Sequence, residues 1–152
     1  MHNAPPVHQK PLPTEAERRR IFNLKAETWD RHVFFQEALM RLGRLRKELV
    51  QQAEGNVLEV AAGTGRNFRF YDKKKVKSLT VTDFSSGMLE QAKAKEGELE
   101  GVPCVFRLAN SCKLPDPPES YNCIVETFGI CSYEDPVKTL KELRRVLQKV
   151  RV

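Results

Sequence analysis

The stretch Val57-Leu58-Glu59-Val60-Ala61-Ala62-Gly63-Thr64-Gly65-Arg66-Asn67 constrains this chain more than any other. Its first four residues read as a strand with one acid among apolar neighbours. A turn of small residues and glycines follows, and Arg66-Asn67-Phe68 can open a helix. A strand that runs into a glycine-rich turn lets the backbone approach a ligand closely, because glycine has no side chain in the way. A nucleotide-like cofactor would sit there, and the acid at Glu59 bears on which one.

The rest of the chain supplies the frame for such a turn. From residue 56 onward strand and helix patterns alternate. Strands are predicted over 56–61, 78–82, 102–108 and 121–127, and helices open at 66–71 and run over 85–95 and 135–150. That alternation predicts an α/β fold, a parallel sheet covered on both faces and doubly wound by right-handed crossovers. Before it, Thr14-Glu15-Ala16-Glu17 has the form of a capping box that starts a helix ending near Ala26. A second helix is predicted from about Val33 to Ala53, ended by Gly55. Its apolar residues Phe35, Ala38, Leu39, Leu42, Leu45 and Leu49 recur at helical spacing and read as a core-facing stripe. The chain divides into a disordered, proline-rich tail over 1–13, a helical lobe over 14–55 and the sheet-forming part over 56–152.

Size and composition fit one soluble domain: 152 residues, 40% hydrophobic and 30% charged. No apolar run is long enough to span a membrane. The formal net charge of +6 raises the question of nucleic acid, but residues 1–55 interleave ten basic with seven acidic side chains. The densest run, Lys73-Lys74-Lys75 with Lys77, lacks interleaved aromatics and reads as a solvated loop, so no nucleic-acid partner is expected. Cys104, Cys112, Cys123 and Cys131 show no C-x-x-C pairing and no histidine at ligand spacing, so no metal site is expected. Cys104 and Cys123 read as buried small hydrophobes in a reducing, intracellular chain. The acid-free tail hints weakly at organelle targeting, although its prolines spoil an amphipathic helix.

Four positions carry the chemistry. Glu59, on a central strand, is costly to bury unless a cation or several donors meet it, so it reads either as an acid near a positively charged ligand group or as a glutamate at an exposed strand end. Gly63 and Gly65 give G-x-G, but Phe68 stands where a dinucleotide fingerprint wants a small residue. Asp83 ends the next strand where a ribose-binding carboxylate belongs, about 20 residues past a glycine turn. Ser85 can cap the following helix and leave Asp83 free for a ligand.

Together these residues resemble the class I S-adenosylmethionine-dependent methyltransferases, over roughly Trp29 to Leu147. Glu59-Val60-Ala61-Ala62-Gly63-Thr64-Gly65 looks like the first motif of that family, and Asp83-Phe84-Ser85-Ser86-Gly87-Met88-Leu89 like the second. The segments 108–115, 121–128 and 140–147 match the third motif, the fourth strand and the helix after it, all in order. The nearest subgroup is similar to the small-molecule methyltransferases of quinone biosynthesis, and 126–132 also looks like mitochondrial inner-membrane methyltransferase-like proteins. The resemblance implies S-adenosylmethionine as cofactor, a small-molecule acceptor such as a quinone or lipid precursor, and a mitochondrial or otherwise cytoplasmic setting.

The resemblance also implies roles. The methionine part of the cofactor would lie over Ala61, Gly63 and Gly65, with Glu59 compensating its ammonium. Asp83 would accept the ribose hydroxyls, and Phe84 and Met88 would flank adenine. Asn110, with Ser111 beside it, would meet the adenine amino group. Glu126, Thr127 and Phe128 would close the pocket. Ala61 replaces the commonest first glycine and suits the motif where its φ is negative, and Asn110 replaces an aspartate. Trp29-Asp30 corresponds either to an aromatic–acid pair near the cofactor or to a core anchor. No catalytic acid or base is assigned.

The family's sheet order would be 3-2-1-4-5-7-6, and the sequence carries only 3-2-1-4. The expectation is a Rossmann-like sheet truncated before strands 5-7-6, with strand four an unprotected edge open to a protein partner. An active methyltransferase and a non-catalytic fragment that binds cofactor weakly or serves as an interaction module both fit. A nicotinamide dehydrogenase is disfavoured by Phe68.

Overall fold

The computed structural model describes residues 13–149; the expected disordered tail lies, apart from Pro13, outside the described residues. Four parallel strands, β1 (Gly55–Val60), β2 (Val76–Asp83), β3 (Cys104–Leu108) and β4 (Cys123–Glu126), form one sheet in the order β3-β2-β1-β4. Leu58 of β1 stands opposite Thr80 of β2 and Ile124 of β4, and Val81 of β2 opposite Phe106 of β3. The Rossmann-like arrangement expected for strands 3-2-1-4 is present.

Alternation along β1 sorts its side chains between two cores, as the two-residue period of a strand requires. Val57 joins Phe68, Leu79, Val81, Leu89 and Ala92 on one face. Leu58 and Val60 join Leu114, Tyr121, Leu143 and Val146 on the other. Helix α4 (Ser86–Ala94) supplies Leu89 and Ala92 to the first core, and α5 (Pro136–Val146) supplies Leu143 and Val146 to the second. Thr139, Leu143 and Val146 are the buried stripe of α5 at i, i+4 and i+7.

Helices α1 (Glu15–Lys25), α2 (Trp29–Leu39) and α3 (Leu42–Val50) precede the sheet. The capping box forms: the Thr14 amide donates to Glu17 Oε2 at 2.7 Å, and the Glu17 amide to Thr14 Oγ1 at 3.3 Å. No helix among the described residues is long and apolar enough to cross a membrane.

Several local expectations are corrected. The single helix over 33–53 is two helices, broken where Arg41 takes φ 53. Its apolar stripe does not face the core: Phe35, Leu39, Leu45 and Leu49 are exposed. The residues α3 buries are Arg46 and Val50, because Arg46 is drawn inward by acceptors described below. Gly55 does not end a helix; it opens β1 at φ 72, where a Cβ would meet the Asn122 side chain at 2.5 Å. The helix expected at 66–71 is a short 3-10 turn, Phe68–Phe70. Helix α5 stops at Val146, and Leu147 turns extended. The Tyr121 amide then donates to Val146 O and the Gln148 amide to Tyr121 O, so the edge leading into β4 is partly paired rather than open. Cys104 and Cys123 are half-buried against the first core, and burial pushes the Cys104 thiol up to about 12.

Candidate functional site

The C-terminal ends of β1, β2 and β4 open into a cavity of about 350 Å³, walled on its other side by α1, α2 and α3. It lies where the strand order reverses between β1 and β4, the position at which open parallel sheets bind ligands. The volume is that of a small-molecule site.

The glycine turn forms its floor. Gly63 has φ 58, and a Cβ built there would find no atom within 4 Å, so the backbone faces open space. Gly65 has φ 76, and its Cβ would fall 2.6 Å from the ring of Phe68. Phe68 is fully buried, packed edge-on to Phe106 at 6.0 Å. Phe68 therefore closes the back of the turn with a ring, where the dinucleotide pattern would have a small residue. Ala61 takes φ 49, not the negative value expected, and Phe128 on the opposite loop takes φ 63. Two side-chain-bearing residues in the left-handed region thus face one cavity, and strain of this kind concentrates at functional sites.

Asp83 is not left free. Its Oδ2 accepts from the Gly63 amide at 2.8 Å and its Oδ1 from the Ser85 amide at 2.9 Å, while Ser85 Oγ caps α4 by accepting from the Met88 amide. Asp83 is 5% exposed, and burial raises its carboxyl pKa above the usual range against the pull of those amides. A carboxylate has about four acceptor sites, so the cavity face of Asp83 keeps capacity for hydroxyl donors. Phe84 and Met88 line the wall beside it, and Phe22 of α1 packs against Phe84 at 5.6 Å and Trp29 at 5.5 Å. Trp29 is thus both an anchor and part of the wall.

Of the remaining expected site residues, Ala61, Asn110, Ser111, Thr127 and Phe128 also line the cavity. Asn110 is engaged at both ends: Oδ1 accepts from the Cys112 amide, and Nδ2 donates to Glu15 Oε2 at 2.6 Å. Glu59, Gly65 and Glu126 lie behind the wall. The Glu126 carboxylate accepts from the Gly129 amide.

Glu59 is 1% exposed and faces inward. Asn67 Nδ2 and the Tyr71 hydroxyl each donate to it at 2.8 Å. Burial pushes its carboxyl up to about 7 despite those donors and the nearby Arg46. Asn67 also accepts from Arg46 Nη1 at 2.8 Å, and Arg46 donates to Thr127 Oγ1 at 3.0 Å and pairs with Glu37 at 2.7 Å. Glu37 pairs in turn with Arg66. Asp30 receives Arg66 at 3.1 Å, Thr64 Oγ1 at 2.6 Å and Lys95. Burial opposes the charge on Asp30, but Lys95, Thr64 and Arg66 outweigh it and hold the carboxyl below its usual value. A chain of alternating charges and amides therefore runs from the sheet centre through the glycine turn into α2 and α3.

Sequence reasoning missed Glu37, Arg46, Arg66 and Asn67. One signal was present: Arg46 breaks the apolar run Leu42-Leu45-Leu49 at a position flanking Val50, which a lobe packed on a sheet must bury. The wall also carries orphaned polar atoms. The Tyr133 hydroxyl and the Nε of Arg46 and Arg66 are buried without a hydrogen-bond partner among the described residues. An apolar, aromatic-lined cavity with a bare backbone floor, a carboxylate and unsatisfied donors suits a nucleoside that carries charged groups.

Residues 57–149 match the family model of a methyltransferase domain. The chain is 33% identical over 144 residues to the mitochondrial methyltransferase OMS1 of Saccharomyces cerevisiae, covering 84% of this chain and 31% of that protein. It is 35% identical over 106 residues to the ubiquinone/menaquinone biosynthesis C-methyltransferase UbiE of Rickettsia bellii, covering 65% of this chain and 42% of that one. The chain therefore spans about a third to two fifths of the length of these curated relatives. Among solved structures, the [4+2]-cyclase SpnF superposes with a TM-score of 0.72 at 19% identity, covering 91% of this chain and 58% of that one. A SAM-dependent methyltransferase of Thermotoga maritima, described as a possible histamine N-methyltransferase, gives 0.60 at 26% identity, covering 86% and 56%. With the domain match covering more than half of its residues and a parallel sheet ordered β3-β2-β1-β4, the chain belongs to the methyltransferase family, class I by its fold.

Proposed function

We propose that this chain binds S-adenosylmethionine in the cavity at the β1/β4 reversal and serves methyl transfer to a small apolar acceptor of the quinone or lipid-precursor kind. The observation that carries the reading is the pairing of Gly63 with Asp83. A backbone floor open to the cavity and a carboxylate fixed on it by the Gly63 amide suit the methionine part and the ribose of one ligand. The names of the UbiE and OMS1 relatives support the acceptor class and a mitochondrial setting.

When bound, the cofactor supplies an electrophilic methyl carbon. The residues of this chain bind and orient. Phe84 and Met88 would flank the adenine, with Asn110 and Ser111 at its edge. Asp83 would accept from the ribose. Ala61, Gly63 and the neighbouring Arg66 would face the amino-acid part. Trp29 and Phe128 offer aromatic faces to a sulfonium, which the ring quadrupole attracts. Glu59 contributes from behind the wall, by fixing Asn67 and through it Arg46. Displacement at an activated methyl needs proximity and alignment above all, so no general base is assigned. Residues 14–55 act as a helical lobe over the sheet-forming part that starts at 56.

Calorimetry with S-adenosylmethionine, S-adenosylhomocysteine and NAD tests the cofactor. Binding of the first two and not the third is expected, and the reverse preference refutes the reading. Transfer of a labelled methyl group into a quinone-precursor or lipid fraction tests the acceptor. Cofactor binding without transfer to either fraction would make the chain a cofactor-binding module.

A further inference from the structure

The outer face of α2 and α3 serves neither the core nor the cavity. Phe34, Phe35, Leu39, Leu45 and Leu49 are exposed there, Phe35 to 75% and Leu39 to 87%. The rings of Phe34 and Phe35 meet edge to face at 5.6 Å, so the aromatic surface is continuous. Scattered exposed apolar residues are ordinary, but clustered ones mark a binding surface. The exposed charges of these two helices are mostly basic. Arg31, Arg41, Arg44 and Lys47 are exposed. Glu48 is the exposed acid of the two helices, and Arg44 takes it at 2.7 Å. Asp30 and Glu37 are engaged by Arg66, Lys95 and Arg46.

We propose that this face docks on an anionic lipid surface. Helices with aromatic and aliphatic side chains set among arginines and lysines lie in the plane of a bilayer interface, apolar groups among the acyl chains and cations at the phosphates. A second copy is a poorer occupant: a two-fold contact through the same face would set its unopposed cations against their own images. Position agrees with a lipid occupant. Val33, Gln36, Met40 and Leu42 of the same two helices line the cavity, so the docked helices are also a wall of the cavity. The inference concerns the outer face alone and is measured without cofactor, so it stands or falls separately from the proposed reaction.

Flotation of the full chain with vesicles of phosphatidylcholine and phosphatidylglycerol in equal parts, against phosphatidylcholine alone, tests it. Binding to the anionic vesicles is expected, weakening as salt is raised. Phe35→Ser with Leu39→Ser, and separately Arg41→Glu with Lys47→Glu, should each weaken binding about tenfold or more. All four side chains are exposed, so both variants should keep the parent melting temperature; the charge reversal keeps the test sharp if the serine pair disturbs the fold. Equal binding to both vesicles, binding to neither, or unchanged binding in both variants overturns the proposal. So does a parent dimer in sedimentation equilibrium that the serine pair dissociates, which would assign the face to a second copy, or capture of an acidic protein in preference to vesicles.

Discussion

Ala61 and Gly129 occupy one small space: a Cβ added at Gly129 would lie 2.5 Å from the Cβ of Ala61 and 2.7 Å from Oε1 of Glu126. The glycine after β4 is thus fitted to the alanine after β1. Gly129→Ala should cost about 1–3 kcal/mol through overpacking of the two loops. Ala61→Gly relieves the left-handed backbone and should stabilise by about 1 kcal/mol. Chemical denaturation of the two single variants and the double variant checks this. The double should be less destabilised than the sum of the singles, because neighbours in contact are not additive.

Glu59 gives the fold a pH dependence of definite sign. Its carboxyl titrates near 4.5 in an unfolded chain and at about 7 when buried. The folded state therefore favours the protonated form. The resulting stability is complete below pH 4.5 and is lost as pH rises to about 7, a change on the order of 3 kcal/mol from this group. Asp83, also raised by burial, acts in the same direction. Glu59→Gln keeps an acceptor for Asn67 and presents a donor to the Tyr71 oxygen. Denaturation across this pH range should show a flatter profile for the variant and a variant more stable than the parent above pH 7.

Removing Arg46 should be severe. Its guanidinium meets Glu37, Asn67 and Thr127 while itself 8% exposed, so Arg46→Ala strips Asn67 Oδ1 of its donor, leaves the half-buried Glu37 carboxylate to Arg66 alone and opens a cavity. A loss of about 3–5 kcal/mol is expected, and Arg46→Met combined with Glu37→Leu should recover much of it. A urea titration series of the three chains reads this directly.

Gly63→Val separates binding from folding. The added side chain projects into open cavity, so the fold loses only the cost of a branched residue at positive φ, about 1–3 kcal/mol. Cofactor affinity measured by calorimetry should fall beyond detection. Gly65→Ala should do the opposite: its Cβ strikes the Phe68 ring, so the melting temperature drops before binding is in question.

What the sequence disclosed follows from how far each residue's partners lie along the chain. Thr14 and Glu17 are three residues apart, and their cap was legible. So were the strands, because Val57, Leu58 and Val60 alternate between two cores whatever surrounds them. Gly63, Asp83, Phe84 and Met88 could be assembled from two short motifs, and all four reach the cavity. The stripe Phe35-Leu39-Leu45-Leu49 misled because periodicity tells which residues share a face and not which face turns inward. For α3 that choice was made by Arg46, whose acceptors stand 21 and 81 residues away. The direction of Glu59 was hidden for the same reason. An acid on a strand was legible, but Asn67 and Tyr71, which turn it away from the cavity, are ordinary residues until the fold brings them there.

The charged chain from Glu59 to Asp30 ties the helices above the cavity to the turn beneath it. Lifting α2 and α3 together would break the bonds of Arg46 to Asn67 and Thr127 and the pairing of Glu37 with Arg66, and so loosen the glycine turn that carries Arg66 and Asn67. The lid and the floor should therefore open together or not at all. In hydrogen exchange, amides of α3 and of residues 62–68 should share one opening free energy, and a ligand held between them should slow both to the same degree.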